Sequence, residues 1–215
     1  MRIIDLSLPI DAAMPGVNIT PARRLESDGW NATTLSLYSH CGTHMDSPFH
    51  FLPEGDTIDG QDLSATVGPA LVVDLSPASP RQLIGVNDLG PTAEEVKPGS
   101  RLLLRTDWHK RYGTPEYRDA LPRISLEFAE WLVARRVGMV GVEPPSVADV
   151  NDMRELTEVH RTLFRGGVVI VEGLANLDAI TQPVVEFVAL PLKVVGGDGS
   201  PVRAIAIESD EPQST

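Results

Sequence analysis

The 215-residue chain is 42% hydrophobic and 22% charged, and no apolar run approaches the roughly 18 residues that span a bilayer, so composition fits one soluble domain with one core. Against 18 Lys and Arg stand 30 Asp and Glu, a formal net charge of −12 whose field repels nucleic-acid phosphates and anionic lipid and excludes both as partners. The single cysteine, Cys41, rules out an intrachain disulfide, and Pro9 interrupts the N-terminal apolar stretch before it reaches signal-peptide length; a cytoplasmic location is the expectation.

In chain order, residues 2–8 read as a first strand closed by Pro9, followed by a long loop through Pro15-Gly16 and Pro21. Residues 31–38 alternate polar and apolar, with Leu35 and Leu37 on one face, the pattern of a half-buried strand. Apolar, β-branched runs at 70–75, 101–105, 137–142, 167–171, 184–195 and 202–207 predict further strands. Helical spacing covers 125–136, with Ser125 as N-cap, and about 154–164, ending at Gly166-Gly167. Strands mixed with a few helices predict an α/β or α+β domain over 1–208, followed by a polar tail at 209–215.

Three of the five histidines, His40, His44 and His50, fall within twelve residues of one another, together with Asp46. If this segment continues the preceding strand, its period of two sends His40, His44 and Asp46 to one face. A helix fails the same test, because Asp46 would point about 200° away from His44 and Gly42 and Pro48 both disfavour helix. Polar groups gathered on one face of an apolar protein each carry a desolvation cost of a few kcal/mol unless a shared partner offsets it, and a divalent cation is the natural partner for imidazoles and a carboxylate. Cys41, of odd number, faces away from the histidines and reads as packing rather than as a nucleophile. His109, in the polar stretch Trp108-His109-Lys110-Arg111, reads as exposed.

The run His40-Cys41-Gly42-Thr43-His44-Met45-Asp46-Ser47-Pro48-Phe49-His50 closely resembles the H-x-G-T/A-H-x-D-x-P-x-H signature of the cyclase family, which includes bacterial kynurenine formamidases and isatin hydrolases. The resemblance extends over nearly the whole chain. It includes Ile4-Asp5-Leu6-Ser7, Leu104-Arg105-Thr106-Asp107-Trp108, Gly141-Val142-Glu143-Pro144-Pro145-Ser146, Val171-Glu172-Gly173-Leu174, and the closing Leu190-Pro191-Leu192 with Asp198-Gly199-Ser200-Pro201-Val202-Arg203-Ala204.

What the resemblance implies is a swivelling β/β/α fold, assembly as a homodimer or larger homo-oligomer, and a small-molecule substrate. It implies His40, His44 and Asp46 as clustered metal ligands, His160 and Glu172 as the distant pair that completes the site, and His50 as catalytic acid/base. Five ligands exceed one open tetrahedral site, so two ions are the expectation beside a single one, with zinc ahead of manganese or iron. The implied reaction is hydrolysis of an aryl amide such as N-formylkynurenine, a step of tryptophan catabolism. In that family a Trp precedes the Pro-Gly of the first long loop and forms part of the aromatic substrate pocket; Met14 stands there in this chain, which keeps cyclic amides, imides and lactones open as substrates. Two readings of another class compete. A non-haem iron oxygenase would use His44, Asp46 and His160 as a facial triad but leaves His40 and Glu172 unexplained, and a non-catalytic metal-binding protein gives His50 no task.

Overall fold

The computed structural model describes residues 1–209, so the polar tail expected at 209–215 lies outside the described residues apart from Ser209. Twelve strands occur among the described residues: β1 (Arg2–Asp5), β2 (Asn18–Arg23), β3 (Ala32–Ser36), β4 (His44–Asp46), β5 (Val67–Asp74), β6 (Leu83–Ile84), β7 (Arg101–Arg105), β8 (Arg123–Ile124), β9 (Met139–Val142), β10 (Val169–Glu172), β11 (Val184–Pro191) and β12 (Gly199–Glu208). Three one-turn helices, α1 (Leu25–Asp28), α2 (Thr92–Glu95) and α3 (Pro115–Asp119), accompany two longer ones, α4 (Leu126–Ala134) and α5 (Met153–Arg165).

Eight strands form one mixed sheet in the order β1-β12-β11-β5-β7-β9-β10-β4, and β4 pairs with β12 as well as β10, so the sheet closes on itself like a barrel. β5, β7, β9 and β10 run parallel, and the other pairings of this sheet are antiparallel. This is the α/β arrangement of mixed sheet and few helices that the sequence predicts.

The parallel strands are apolar at nearly every position because both of their faces are covered. Leu103, Met139, Val169 and Val171 join Met45, Phe187 and Ala204 inside the ring. On the other face Leu102, Leu104, Val140 and Ile170 pack against Phe128 and Leu132 of α4 and Val159 and Leu163 of α5. Both helices start where their caps allow. The Ser125 hydroxyl accepts from the Phe128 N–H, and the Asp152 carboxylate accepts from the N–H groups of Arg154 and Glu155.

Three local expectations are corrected. The first strand ends at Asp5, although the Leu6 N–H still donates to the Ala204 carbonyl (2.9 Å). The segment 31–38 is not half-buried: β3 pairs with β2 alone, through the expected loop residue Pro21, and Leu35 is 58% exposed. Alternation identifies an extended chain but not the surface that covers it. Nor does this strand run on through the histidines. The Cys41 N–H donates back to the Tyr38 carbonyl (3.1 Å) and Gly42 adopts φ +62°, so the chain turns before β4 begins at His44.

A second glycine holds the two site strands at their working distance. Gly173 follows β10 with φ +67°, and a Cβ there would stand 2.5 Å from the Gly42 carbonyl oxygen. Gly173→Ala is expected to destabilise the protein by at least about 1–2 kcal/mol from the left-handed backbone alone, seen as a lower urea midpoint. An unchanged midpoint would contradict the close approach of these two turns.

Candidate metal centre

β4 is the short strand that closes the ring, and its pairings assemble the site. Glu172 of β10 lies directly opposite His44, and Gly199 of β12 directly opposite Asp46. Cross-strand partners share a face, so Glu172 joins His44 and Asp46 on the side away from Met45, which packs inside the ring. α5 covers that side and brings in His160, which is buried rather than an exposed helix residue.

His44 Nε2 lies 3.5 Å from Asp46 Oδ1 and 3.3 Å from Glu172 Oε2, and His160 Nε2 lies 3.6 Å from Asp46 Oδ2 and 3.4 Å from Glu172 Oε1. The opposite nitrogens settle what these Nε2 atoms are. His44 Nδ1 faces the Gly42 carbonyl (2.9 Å) and His160 Nδ1 the Leu156 carbonyl (2.7 Å), acceptors that require an N–H on Nδ1. In a neutral ring each Nε2 is then a lone pair facing carboxylate oxygens. Asp46 Oδ2 is buried without a hydrogen-bond partner, whereas Glu172 Oε1 accepts one bond, from the Val147 N–H (2.8 Å).

Acceptors that converge in a buried space repel one another unless a positive charge lies between them. Burial would lower the His44 and His160 pKa values, but the hydrogen bonds and charges of Glu172 and Asp46 raise both. Burial likewise opposes the ionised form of Glu172, and His160 and His44 pull its pKa well below the usual carboxylate range. Two imidazoles with Nδ1–H fixed by backbone carbonyls and two carboxylates are a donor set that fits a divalent cation. His44, Asp46 and Glu172 place one ligand atom each within 4.8 Å of one another.

Asp46 belongs to a second such group with His40 and His50. The loss of strand continuity does not remove His40, which arrives from the turn with Nδ1 2.7 Å from Asp46 Oδ1 and Nε2 3.1 Å from Asp198 Oδ2. Burial works against the His40 charge, yet Asp46 and Asp198 raise its pKa to about 9. His50 stacks on His40 at a centroid distance of 3.9 Å and keeps 26% of its side chain exposed. Burial lowers the His50 pKa, which favours the neutral ring.

Met14 belongs to a neighbouring apolar cluster. It is buried with Leu8, Cys41, Trp108 and Tyr117, its Cε within 3.4 Å of where a Gly42 Cβ would stand. Tyr38, which no sequence motif singles out, is 54% exposed with its ring centroid 5.4 Å from that of His40. Among the other aromatic residues, Trp108 is core, Phe49 and Trp30 are exposed, and Phe51 stacks on His160 at 4.4 Å. His109 is a correction. It is largely buried, with Nδ1 2.7 Å from Oε1 of the fully buried Glu143, whose other oxygen accepts from Thr106 and from the Trp108 N–H. Glu143 closes the apolar run of β9 as Glu172 closes that of β10, and that shared position was a readable sign of a buried, partnered carboxylate.

A family model described as "Putative cyclase" matches residues 4–149. Among curated proteins, a kynurenine formamidase of Bacillus cereus is 35% identical over 94% of this chain and 95% of its own. Among solved structures, isatin hydrolase A of Ralstonia solanacearum superposes with a TM-score of 0.85 at 26% identity, covering 95% of this chain and 91% of its own. Isatin hydrolase A of Labrenzia aggregata, bound to benzyl benzoate, has the same score and identity over 95% of this chain and 93% of its own. A family model across most of the chain and a relative alike from end to end lead to one conclusion: this chain belongs to the cyclase family.

Proposed function

We propose that this protein is a metal-dependent amidohydrolase acting as an arylformamidase, which hydrolyses a small aryl formamide such as N-formylkynurenine to the free aryl amine and formate. The observation that carries the reading is the convergence of His44 Nε2, His160 Nε2, Asp46 and Glu172 in a buried space where Asp46 Oδ2 has no hydrogen bond. Its support from relatives is the likeness to kynurenine formamidases along nearly the full chain.

His40, His44, Asp46, His160 and Glu172 would hold the metal, zinc ahead of manganese, with Asp46 common to the two groups if two ions bind. A divalent ion there supplies Lewis acidity, polarising a carbonyl and lowering the pKa of water from 15.7 to about 7. The chain's own residues do the rest. The carbonyls of Gly42 and Leu156 keep the inward nitrogens of His44 and His160 from rotating away. His50, neutral and partly open to solvent, takes a proton from the attacking water and returns it to the leaving nitrogen. Tyr38 offers an exposed ring beside His40 for the aryl group, with Met14 behind the adjoining turn. A facial-triad oxygenase accounts for only one of the two buried carboxylates.

A second reading keeps the same centre but takes a cyclic aryl amide, imide or lactone. The isatin hydrolase likeness and Met14 in the place of a Trp favour it. For assembly we propose a homodimer or larger homo-oligomer, because the β2–β3 hairpin leaves Leu25 and Leu35 uncovered; for location, the cytoplasm.

Chelator-stripped protein resupplied with zinc or manganese is expected to hydrolyse N-formylkynurenine, and His50→Ala to lower kcat by about 10²–10⁴-fold while retaining bound zinc by atomic emission. Absence of turnover with either metal overturns the formamidase reading and makes isatin the next substrate. Zinc lost together with turnover in the variant would instead make His50 a ligand. Tyr38→Ala is expected to raise KM for the aryl substrate several-fold with kcat within about twofold, as loss of uniform binding predicts; an unchanged KM would remove Tyr38 from the substrate surface.

A further inference from the structure

Asp198 lies in the turn that leads into β12, and the mechanism above leaves it without a task. Its surroundings fix it firmly. The Ser47 N–H donates to the Asp198 carbonyl (3.0 Å), the Ile58 N–H to the Gly197 carbonyl (2.9 Å), and the Gly196 N–H to Asp59 Oδ1 (3.0 Å). Three successive residues are thus tied to the histidine run and to the segment that follows it.

The next residue makes room. A Cβ on Gly199 would stand 2.7 Å from His40 Cε1 and 2.9 Å from the Met45 carbonyl oxygen, so only glycine lets the His40 ring lie against β12. With the ring there, one oxygen, Asp198 Oδ2, meets His40 Nε2 at 3.1 Å and His50 Nδ1 at 3.7 Å. The two rings are stacked with planes 29° apart, and a single carboxylate oxygen faces a nitrogen of each.

A neutral imidazole has one donor and one acceptor nitrogen, so a carboxylate that takes the N–H chooses the nitrogen left free. For His40 that nitrogen is Nδ1, 2.7 Å from Asp46 Oδ1, where a cation held by Asp46 would take the place of the proton the two now share. His50 Nδ1, at 3.7 Å, is at ion-pair rather than hydrogen-bond distance, and closing that gap would leave Nε2 as the free nitrogen. We propose that Asp198 is a positioning residue for both histidines, holding His40 with Nδ1 as the ligating atom and His50 with Nε2 as the proton-handling atom. This inference rests on the reading of His40 as ligand and His50 as acid/base. Carboxylates behind ligating histidines are a general device for fixing tautomer and ring orientation.

Two measurements test it. Long-range ¹H–¹⁵N spectra of the unaltered, zinc-loaded protein labelled at histidine are expected to show His40 as the Nε2–H tautomer; an Nδ1–H tautomer overturns the proposal. In competition with a chromophoric chelator, Asp198→Asn is expected to lower zinc affinity by about 10–100-fold. At saturating zinc its kcat should fall at least tenfold with KM nearly unchanged, and its thermal midpoint should match the unaltered protein. Zinc affinity and kcat both within twofold of the unaltered protein would overturn the assignment. The spectra and the zinc titration need no turnover, so a protein inactive on N-formylkynurenine sinks the substrate reading alone and leaves this test intact.

Discussion

The centre depends on one electrostatic constraint, that lone pairs cannot face one another in a dry space without a positive charge between them. Two backbone carbonyls impose it. By taking the Nδ1–H of His44 and of His160, Gly42 and Leu156 turn both Nε2 atoms towards Asp46 and Glu172. Had either ring been free to flip, a neutral imidazole could have turned its N–H to a carboxylate. As the rings stand, the positive charge between Nε2 and the carboxylates has to be a bound cation or a proton on the ring, which is why, against their burial, Glu172 and Asp46 raise the pKa of both histidines. The backbone geometry, as much as the choice of side chains, makes this a place for a cation.

The fold provides that geometry with few residues. β4 contributes only three, yet it pairs on both edges, so His44 and Asp46 are fixed between Glu172 on one side and Gly199 on the other. The parallel strands supply rigid neighbours, and α5 lays His160 over the outer face while its apolar residues lock into the layer shared with α4. The one contributor from irregular chain is His40, and it is held between Asp46, six residues on, and Asp198 of the turn before β12.

Much of the site was legible because its chemistry is concentrated: three histidines and an aspartate within twelve residues carry their own signal, and the family signature extends it to His160 and Glu172. The class of fold was legible from strand runs such as 101–105, which the structure reproduces as β7 without a change of boundary. What stayed hidden was long-range. Parity along one strand gave the right companions for His44 but the wrong reason for His40, because a glycine at φ +62° is locally indistinguishable from a glycine in an extended chain. His109 looked polar and free because its pairing with Glu143, 34 residues away, leaves no mark on the local pattern around it. Leu35 looked half-buried for the converse reason, since alternation records how a strand could be covered and not whether it is.

The closure of the ring by β4 has a consequence beyond catalysis. A strand of three residues held on both edges cannot detach from one neighbour without loosening the other, so opening the ring and dispersing the site are a single cooperative event. Anything that binds between His44, Asp46 and Glu172 therefore acts as a clasp on the whole sheet. By mass action it adds to the stability of the folded chain in proportion to the logarithm of its concentration over its dissociation constant. Resistance of this protein to unfolding is then a property shared between the sequence and the ionic composition of its surroundings.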